Sequence, residues 1–208
     1  MNHLFFDTET NGLPADYQAP IEAVDNWPRV LQLAWTLTDS EGKPIESVSL
    51  LINPAGAFPL DPFAARVHGL TDERLVHGVS IAFALNQFMV AVMRANVLVA
   101  HNFDFDCRVM AAEFYRTASF MNSLASNGVL RLTSLPSICT MQESTEFCAI
   151  PSPYRQDEYK WPKLAELHQI LFDEPIAGAH DAGHDVAAMM RCFWALKERG
   201  IVGVPSHA

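Results

Sequence analysis

The stretch HLFFDTETNG, residues 3–12, constrains the fold of this chain more than any other part of it. Three apolar residues lead into two carboxylates, Asp7 and Glu9, which are two positions apart. Side chains two apart on an extended backbone point to the same side, so both acids are expected at the end of one buried strand. Burying paired negative charge is costly, and a divalent cation is the simplest compensation. The stretch therefore predicts a strand that ends in a metal site, with further ligands elsewhere in the chain.

The hydrophobic pattern along the rest of the chain predicts an α/β domain. Residues 29–39 and 44–54 have strand patterns and are joined by the turn EGK, which indicates an antiparallel meander with the first strand. Beyond Pro59 helical patterns alternate with short apolar strands, as expected for a mixed sheet. We expect a single domain over residues 1–208. Helices are predicted at 80–95, 103–120, 163–172 and 181–200, with two shorter ones in DPFAARVHGL and TDERLVHGV, and strands at 96–102 and around LPSICTM.

Two further stretches carry acids where a helix is predicted to begin. In AHNFDFD the acids are Asp104 and Asp106, which follow a buried strand. In AHDAGHD, Asp181 is placed to cap the helix. His180 and Asp185 converge if His180 lies in the loop before the helix and Asp185 lies one turn inside it. Acids in a first helical turn also interact favourably with the helix dipole, so neither stretch indicates a metal site by itself.

The stretches FFDTETNGLP, AHNFDFD and AHDAGHD, in this order, resemble the motifs of the DEDDh group of 3′–5′ exonucleases, which includes polymerase proofreading subunits, oligoribonuclease and RNase T. The segments LQLAWTL, RVHGLTDE and KLAEL are also similar to segments of this family. The resemblance implies an RNase H-like fold: a mixed five-stranded sheet, with three antiparallel strands followed by parallel ones, flanked by helices. Matched position by position, it implies a site made of Asp7, Glu9, Asp106, Asp185 and His180.

The resemblance also implies a chemistry for these residues. It is phosphodiester hydrolysis with two divalent ions, Mg²⁺ or Mn²⁺, held by the four acids, and with His180 as the general base. The expected substrate is the 3′ end of single-stranded nucleic acid, DNA or RNA, from which 5′-mononucleotides are released. Thr8, Leu13 and Asn102 are the expected substrate contacts. Leu13 is either a wedge between the last two bases or an ordinary loop anchor, and Asn102 contacts phosphate or caps a helix.

Charge and composition limit the partners of the chain. It carries 14 Lys and Arg against 24 Asp and Glu, for a formal net charge of -10. An acidic surface does not attract long duplex nucleic acid by bulk electrostatics, which favours short single-stranded ends gripped locally. The four cysteines form no CxxC pair and are expected to be free thiols. No apolar run reaches the length of a membrane helix, so a cytoplasmic protein without membrane contact is expected.

Two other functions stay open at the level of sequence. The HDAGHD stretch contains His180, His184 and Asp185, and two histidines with an acid can form a zinc or iron site. A non-catalytic nucleic-acid-binding module on the same fold is the second alternative. Proofreading, RNA trimming and oligonucleotide clearance are not distinguished, nor is association with a polymerase or with itself. The stretches 13–28 and 119–135 are longer than usual in the family, which leaves the substrate length open.

Overall fold

A mixed sheet of six strands lies at the centre of the computed structural model, which describes residues 1–54 and 60–203 and, over 118–126, the backbone alone. The strands are β1 (His3–Thr10), β2 (Val30–Thr38), β3 (Pro44–Asn53), β4 (Val79–Ser80), β5 (Val97–Ala100) and β6 (Ser137–Cys139). The helices are α1 (Pro62–His68), α2 (Asp72–Leu75), α3 (Ile81–Arg94), α4 (Phe103–Ser134), α5 (Thr140–Glu143), α6 (Thr145–Cys148), α7 (Leu164–Phe172) and α8 (Ala182–Glu198).

The strand order is β4-β3-β2-β1-β5-β6. β1 pairs with β2 and β2 with β3 in antiparallel fashion, whereas β5 lies parallel to β1 and β6 parallel to β5. The predicted fold class, with three antiparallel strands followed by parallel ones, is confirmed. β2 pairs with β1 as far as Thr10, whereas β5 pairs with it only from His3 to Phe5, so the carboxyl end of β1 extends past its pairing with β5.

The predicted number of five strands was wrong by one. The sixth strand, β4, has two residues and lies parallel to β3 at the edge of the sheet, where one predicted helix ends and the next is predicted to begin. A Cβ at Gly78 would lie 2.6 Å from the backbone nitrogen of Asn53 and 2.7 Å from the carbonyl oxygen of Leu51. The chain approaches β3 this closely because glycine has no side chain, and the pairing depends on that contact between distant segments.

Alternation along β1 divides its side chains between two hydrophobic cores. Phe6 packs on the side of α3 and α4, with its ring centroid 5.3 Å from that of Phe88. Phe5 packs on the opposite side against α8, 5.1 Å from the ring of Phe193. The hydrophobic residues of β1 therefore hold α3 and α4 on one face of the sheet and α8 on the other, and α4 and α8 both begin near the carboxyl end of this strand.

The stretches 13–28 and 119–135, which are longer than usual in the family, differ in secondary structure. Residues 13–28 form a loop with one short 3-10 turn, Val24–Asn26, as the lack of periodicity predicted. The helix predicted at 103–120 extends to Ser134, so most of the stretch 119–135 is helical backbone. Within the described part of the chain, no helix is both long enough and apolar enough to cross a membrane.

Candidate active site

Three acids from two elements meet at the carboxyl end of β1. Asp7 and Glu9 share the strand face of Phe5, the face covered by α8, because they follow it at intervals of two residues. Asp185 lies in the first turn of α8. One carboxylate oxygen from each of these acids lies within 4.8 Å of the other two. The structure therefore brings together three of the residues that the sequence predicted as ligands.

The fourth predicted acid, Asp106, reaches the same strand end from the opposite face. Thr8 points toward α4, and Asp106 lies in the first turn of that helix. Its Oδ1 accepts hydrogen bonds from the backbone N–H of Thr8 at 3.1 Å and from the Thr8 hydroxyl at 2.6 Å. Asp104 is instead exposed and forms an ion pair with Arg108 at 2.7 Å. Of the two acids in this motif, Asp106 is thus the one that lies at the site.

Burial raises the pKa values of all four carboxyl groups, and repulsion by the other acids of the site raises those of Asp7 and Glu9 further. The pKa of Asp7 is raised well above its ordinary value, first by burial and then by the charges of Asp106, Glu9 and Asp185. Burial, followed by the charges of Asp185 and Asp106, raises the pKa of Glu9 to about 8. Burial raises the pKa of Asp106 to about 7 against the opposing effect of the hydrogen bonds from Thr8, and it also raises the pKa of Asp185.

This electrostatic arrangement fits a divalent cation. Four carboxyl groups that repel one another at one strand end are relieved when positive charge is placed among them. The donors are all hard oxygen atoms, the type that Mg²⁺ and Mn²⁺ prefer. The residues present at the site are therefore suited to the ions that the resemblance implies.

His180 lies in the loop immediately before α8, in the left-handed region with φ 68°. Its backbone N–H donates to Oδ2 of Asp185 at 3.1 Å, and its side chain is exposed. The predicted geometry, with His180 in the loop and Asp185 one turn inside the helix, is confirmed. Asp181 caps α8 as predicted, since its Oδ1 accepts from two backbone N–H groups of the first turn.

The alternative zinc or iron set receives no support from the structure. Nδ1 of His184 lies 3.6 Å from Oδ1 of Asp181. Its ring also packs against the loop before the helix, where a Cβ at Gly178 would lie 2.5 Å from Nδ1. In the part of the chain that the structure describes, the three-residue group within reach of a shared ion contains only carboxylates. His184 is therefore better explained as a residue that packs the loop carrying His180.

Gln32 holds the start of α8 against the sheet, a role that the sequence did not predict. It is buried on β2, in register with Glu9. Its Nε2 donates to Oδ2 of Asp181 at 2.9 Å, and its Oε1 accepts from the backbone N–H of Ala182 at 3.3 Å. The sequence signal that could have predicted this role is Gln32 itself, the single amide in the apolar run VLQLAW. A buried amide needs polar partners, so its presence in a buried strand indicates hydrogen bonds to another segment.

Asn102 and His101 shape the beginning of α4 at the same sheet edge. Asn102 is the N-cap residue of α4, with φ 81°, but its side chain makes no capping hydrogen bond. The ring of His101 lies 2.9 Å from the Thr140 hydroxyl and 3.0 Å from the carbonyl oxygen of Pro162. Burial lowers the pKa of His101 to about 4, so this histidine is neutral and ties the segment before α7 to the site edge.

A cavity of about 350 Å³, the apolar cavity, opens beside Glu9. Its walls include Phe63 and Val67 of α1, Phe105 of α4 and the loop residue Leu13. Leu13 is 68% exposed, so it is not an ordinary buried anchor of its loop. The volume lies in the range of roughly 300–1,000 Å³ that is typical of small-molecule sites. The predicted contacts Thr8 and Leu13 both border this cavity, which adjoins the acids.

The family of the chain follows from its match over nearly the whole length. The RNase T family model, described as exonuclease, matches residues 4–193. The chain belongs to this exonuclease family. The expected resemblance to DEDDh 3′–5′ exonucleases is confirmed at this level, and all three acid motifs of the chain lie within the matched residues.

Two bacterial DNA polymerase III proteins are similar to this chain over part of their length. The DNA polymerase III subunit epsilon of Treponema pallidum is 32% identical over 108 residues, which cover 52% of this chain and 44% of that protein. The PolC-type DNA polymerase III of Mycoplasmopsis pulmonis is 26% identical over 164 residues, 77% of this chain and 10% of that protein. The chain thus spans less than half the length of these two relatives.

Solved structures support the fold. E. coli Exonuclease I in complex with a dA16 oligonucleotide superimposes with a TM-score of 0.69 at 20% sequence identity, covering 95% of this chain and 41% of that one. A zinc-bound complex of E. coli Exonuclease I with single-stranded DNA gives a TM-score of 0.70, also at 20% identity, over 95% of this chain and 41% of that one.

Proposed function

We propose that this chain is a metal-dependent 3′–5′ exonuclease that removes 5′-mononucleotides from the 3′ ends of single-stranded nucleic acid. The observation that carries the proposal is the meeting of Asp7, Glu9 and Asp185 within 4.8 Å, beside an open cavity, in a member of the exonuclease family. Single-stranded DNA is the first substrate to test, because E. coli Exonuclease I was crystallised with a dA16 oligonucleotide.

The acids provide the ion-binding side of the mechanism. Asp7, Glu9 and Asp185 would hold one divalent ion, and Asp106 would contribute to a second one. Oδ2 of Asp106 takes part in neither hydrogen bond with Thr8, so it offers a ligand atom while Oδ1 keeps the side chain in place. When bound, such ions neutralise charge on the phosphoryl oxygens and make the attacking water more acidic.

We expect His180 to act as the general base, and two observations support this role. Its backbone N–H is bound to Asp185, which fixes the loop at the acid cluster, and its exposed ring is free to face a substrate. A neutral imidazole can accept the proton that a water molecule loses as it attacks the phosphorus. Loss of this group is expected to lower turnover by roughly 10²–10⁴ while largely sparing ion binding.

The apolar cavity suits the nucleoside that is to be released. Its aromatic walls, Phe63 and Phe105, offer stacking surfaces that accept any base, and Glu9, one of the four acids, also lines it. Leu13 at the rim is exposed enough to contact the base of the terminal nucleotide. Such contacts within the apolar cavity would let a strongly acidic protein bind the 3′ end of a nucleic-acid strand without a positively charged surface.

The test is digestion of 5′-labelled single-stranded DNA, duplex DNA and RNA with Mg²⁺, with Mn²⁺ or with a chelator. We expect products that shorten one nucleotide at a time from the 3′ end, release of 5′-mononucleotides, and no reaction with the chelator. A 3′-phosphate should block digestion. Internal cleavage of the blocked strand would contradict the proposal.

Neighbouring residues of the same type provide matched controls. Asp106→Asn should abolish digestion, whereas Asp104→Asn, two positions away and exposed, should not. Asp185→Asn should abolish it as well. His180→Gln should slow turnover, and His184→Gln should leave the general-base step intact.

Oligonucleotide binding without digestion in the wild-type protein would favour a non-catalytic module. Association with a polymerase stays a prediction, suggested by the epsilon relative.

A further inference from the structure

The loop between α7 and α8, residues 173–181, carries the expected general base. From 173 to 180 its residues are exposed, apart from the half-buried Ile176. The far end of the loop is held at the acids, because the backbone N–H of His180 donates to Asp185 at 3.1 Å. A loop with so few buried contacts keeps a defined position only if its near end is held as well.

The near end of the loop is attached to α8 by a cluster of four residues, the arginine clamp, which consists of His168, Phe172, Glu174 and Arg191. The carboxylate of Glu174, on the loop, forms an ion pair with the guanidinium group of Arg191, on α8. That guanidinium group also lies over the ring of Phe172, 3.8 Å from its centroid. The buried ring of His168 lies 4.8 Å from the ring of Phe172. Arg191 thus joins α8 both to the end of α7 and to the first residues of the loop.

Hydrogen bonds fix the tautomer of His168 within the arginine clamp. Its Nδ1 lies 2.9 Å from the carbonyl oxygen of Glu174, which can only accept, so Nδ1 carries a proton. Its Nε2 lies 3.4 Å from Nη1 of Arg191, which can only donate, so Nε2 accepts. The imidazole therefore binds the backbone of the loop on one side and the guanidinium group on the other. Because Arg191 contacts the other three members, its loss should loosen the whole clamp.

Between its two attachments the loop has open space on both sides. A cavity of about 360 Å³ separates it from α8, where the small residues Ala187 and Ala188 form part of the wall. A second cavity, of about 540 Å³, lies between the loop and α7 and has mainly apolar walls, including Ile170. Ile176 borders both cavities. Close packing therefore does not fix the middle of the loop, and the position of His180 depends on the attachments at the two ends.

We infer, on the basis of the proposed function, that Arg191 is a positioning residue for the hydrolysis. By holding Glu174 it keeps the loop docked on α8, with the ring of His180 beside the acids. Arg191 follows Asp185 by six positions, which corresponds to about 9 Å along the helix and about 120° around it. The guanidinium group therefore lies away from the acids and acts on the reaction through the loop.

The first test measures single-turnover cleavage of a 5′-labelled single-stranded DNA oligonucleotide with Mg²⁺. Arg191→Met keeps the length of the side chain but removes its charge and its donors. We expect the cleavage rate constant at saturating protein to fall roughly 3- to 30-fold, the combined weight of one exposed ion pair and one cation–π contact. The protein concentration that gives half of this rate should stay unchanged, because Arg191 does not contact the substrate.

Three variants accompany this measurement. Glu174→Gln, a change on the exposed loop, removes the same ion pair and should also lower the cleavage rate constant. Arg191→Lys keeps the charge and should restore part of the rate. Arg199→Met is the matched control, since Arg199 is exposed at the end of the same helix and donates to the carbonyl oxygen of Ala195. It should cleave at the wild-type rate.

The second test repeats Arg191→Met in a His180→Gln background. If Arg191 acts through His180, the substitution slows the wild-type protein but has no further effect once the base is absent. A general structural role predicts the same fold-decrease in both backgrounds. That result, or an unchanged rate for Arg191→Met in the wild-type background, would overturn the inference.

Backbone order parameters from NMR relaxation give a readout that does not depend on activity. In the metal-free protein, Arg191→Met should lower the order parameters of residues 176–180 toward about 0.6, and Arg199→Met should not. Unchanged order parameters in Arg191→Met would contradict the role of the clamp. If the wild-type protein cleaves no oligonucleotide, the proposed function fails, which the order parameters distinguish from a failure of the clamp.

Discussion

Without divalent ions, the folded protein is expected to lose stability as the pH rises. The pKa of Glu9 is about 8 in the folded chain against an ordinary value of 4.5, and that of Asp106 is about 7 against 3.8. Between these values the folded protein keeps protons that the unfolded chain has already released. The free energy of unfolding therefore falls with rising pH, beginning above about pH 4 and levelling off above about pH 8.

The size of the effect follows from Glu9. A pKa that moves from 4.5 to about 8 corresponds to at most about 5 kcal/mol, at roughly 1.4 kcal/mol for each pKa unit. Glu9 is only partly buried, and solvent screening reduces this figure to about 2 kcal/mol. For a chain of this length, such a loss lowers the Tm by roughly 4–8 °C.

The assay is urea or thermal unfolding followed by circular dichroism, with a chelator and with Mg²⁺, at about pH 5.5 and about pH 8. Mg²⁺ should restore the stability that the metal-free protein lacks at the higher pH. Glu9→Gln should make the metal-free protein more stable at about pH 8, and Glu198→Gln, at the exposed end of α8, should not. A metal-free stability that is constant or rises over this pH range would refute the electrostatic reasoning.

Three other substitutions test the supports of the site. Gln32→Leu removes the hydrogen bonds to Asp181 and to the start of α8, and should lower the free energy of unfolding by about 1–3 kcal/mol and weaken Mg²⁺ binding in calorimetry. Glu113 of α4 is buried and pairs with both Arg29 and Arg116. Arg116→Leu removes one of these partners and should lower the free energy of unfolding in urea by about 3 kcal/mol. Wild-type stability in this variant would contradict the interpretation that Arg116 anchors the loop 13–28 on α4. Leu13→Ala should leave the unfolding curve unchanged, because this side chain is exposed, but should raise KM for oligonucleotides.

The acids on β1 were predictable from residue chemistry alone. The alternation of a strand places Asp7 and Glu9 on one face, and their shared need for a cation follows from burial. Asp185 and His180 needed one further condition, a helix that begins between them, and the cap at Asp181 supplied it. Local rules suffice here because each of these relations spans only a few residues.

Relations between distant segments were not predictable. Asp104 and Asp106 are equivalent as acids of a first helical turn, and only the resemblance to a family separated them before the bonds to Thr8 did so. The bonds of Gln32 reach across 149 positions to Asp181. The pairing of β4 with β3 likewise depends on a backbone approach at Gly78 that no periodicity encodes.

The hydrogen bonds between Thr8 and Asp106 make a backbone amide into a reporter of the site. The N–H of Thr8 points at a carboxylate whose charge an arriving cation would share, on a strand that pairs with β2 along its length. The proton chemical shift of this amide and its hydrogen exchange with solvent should therefore change when the Asp106 carboxylate binds a cation. A single resonance, read without any substrate or turnover, is expected to follow the filling of the ion site in solution.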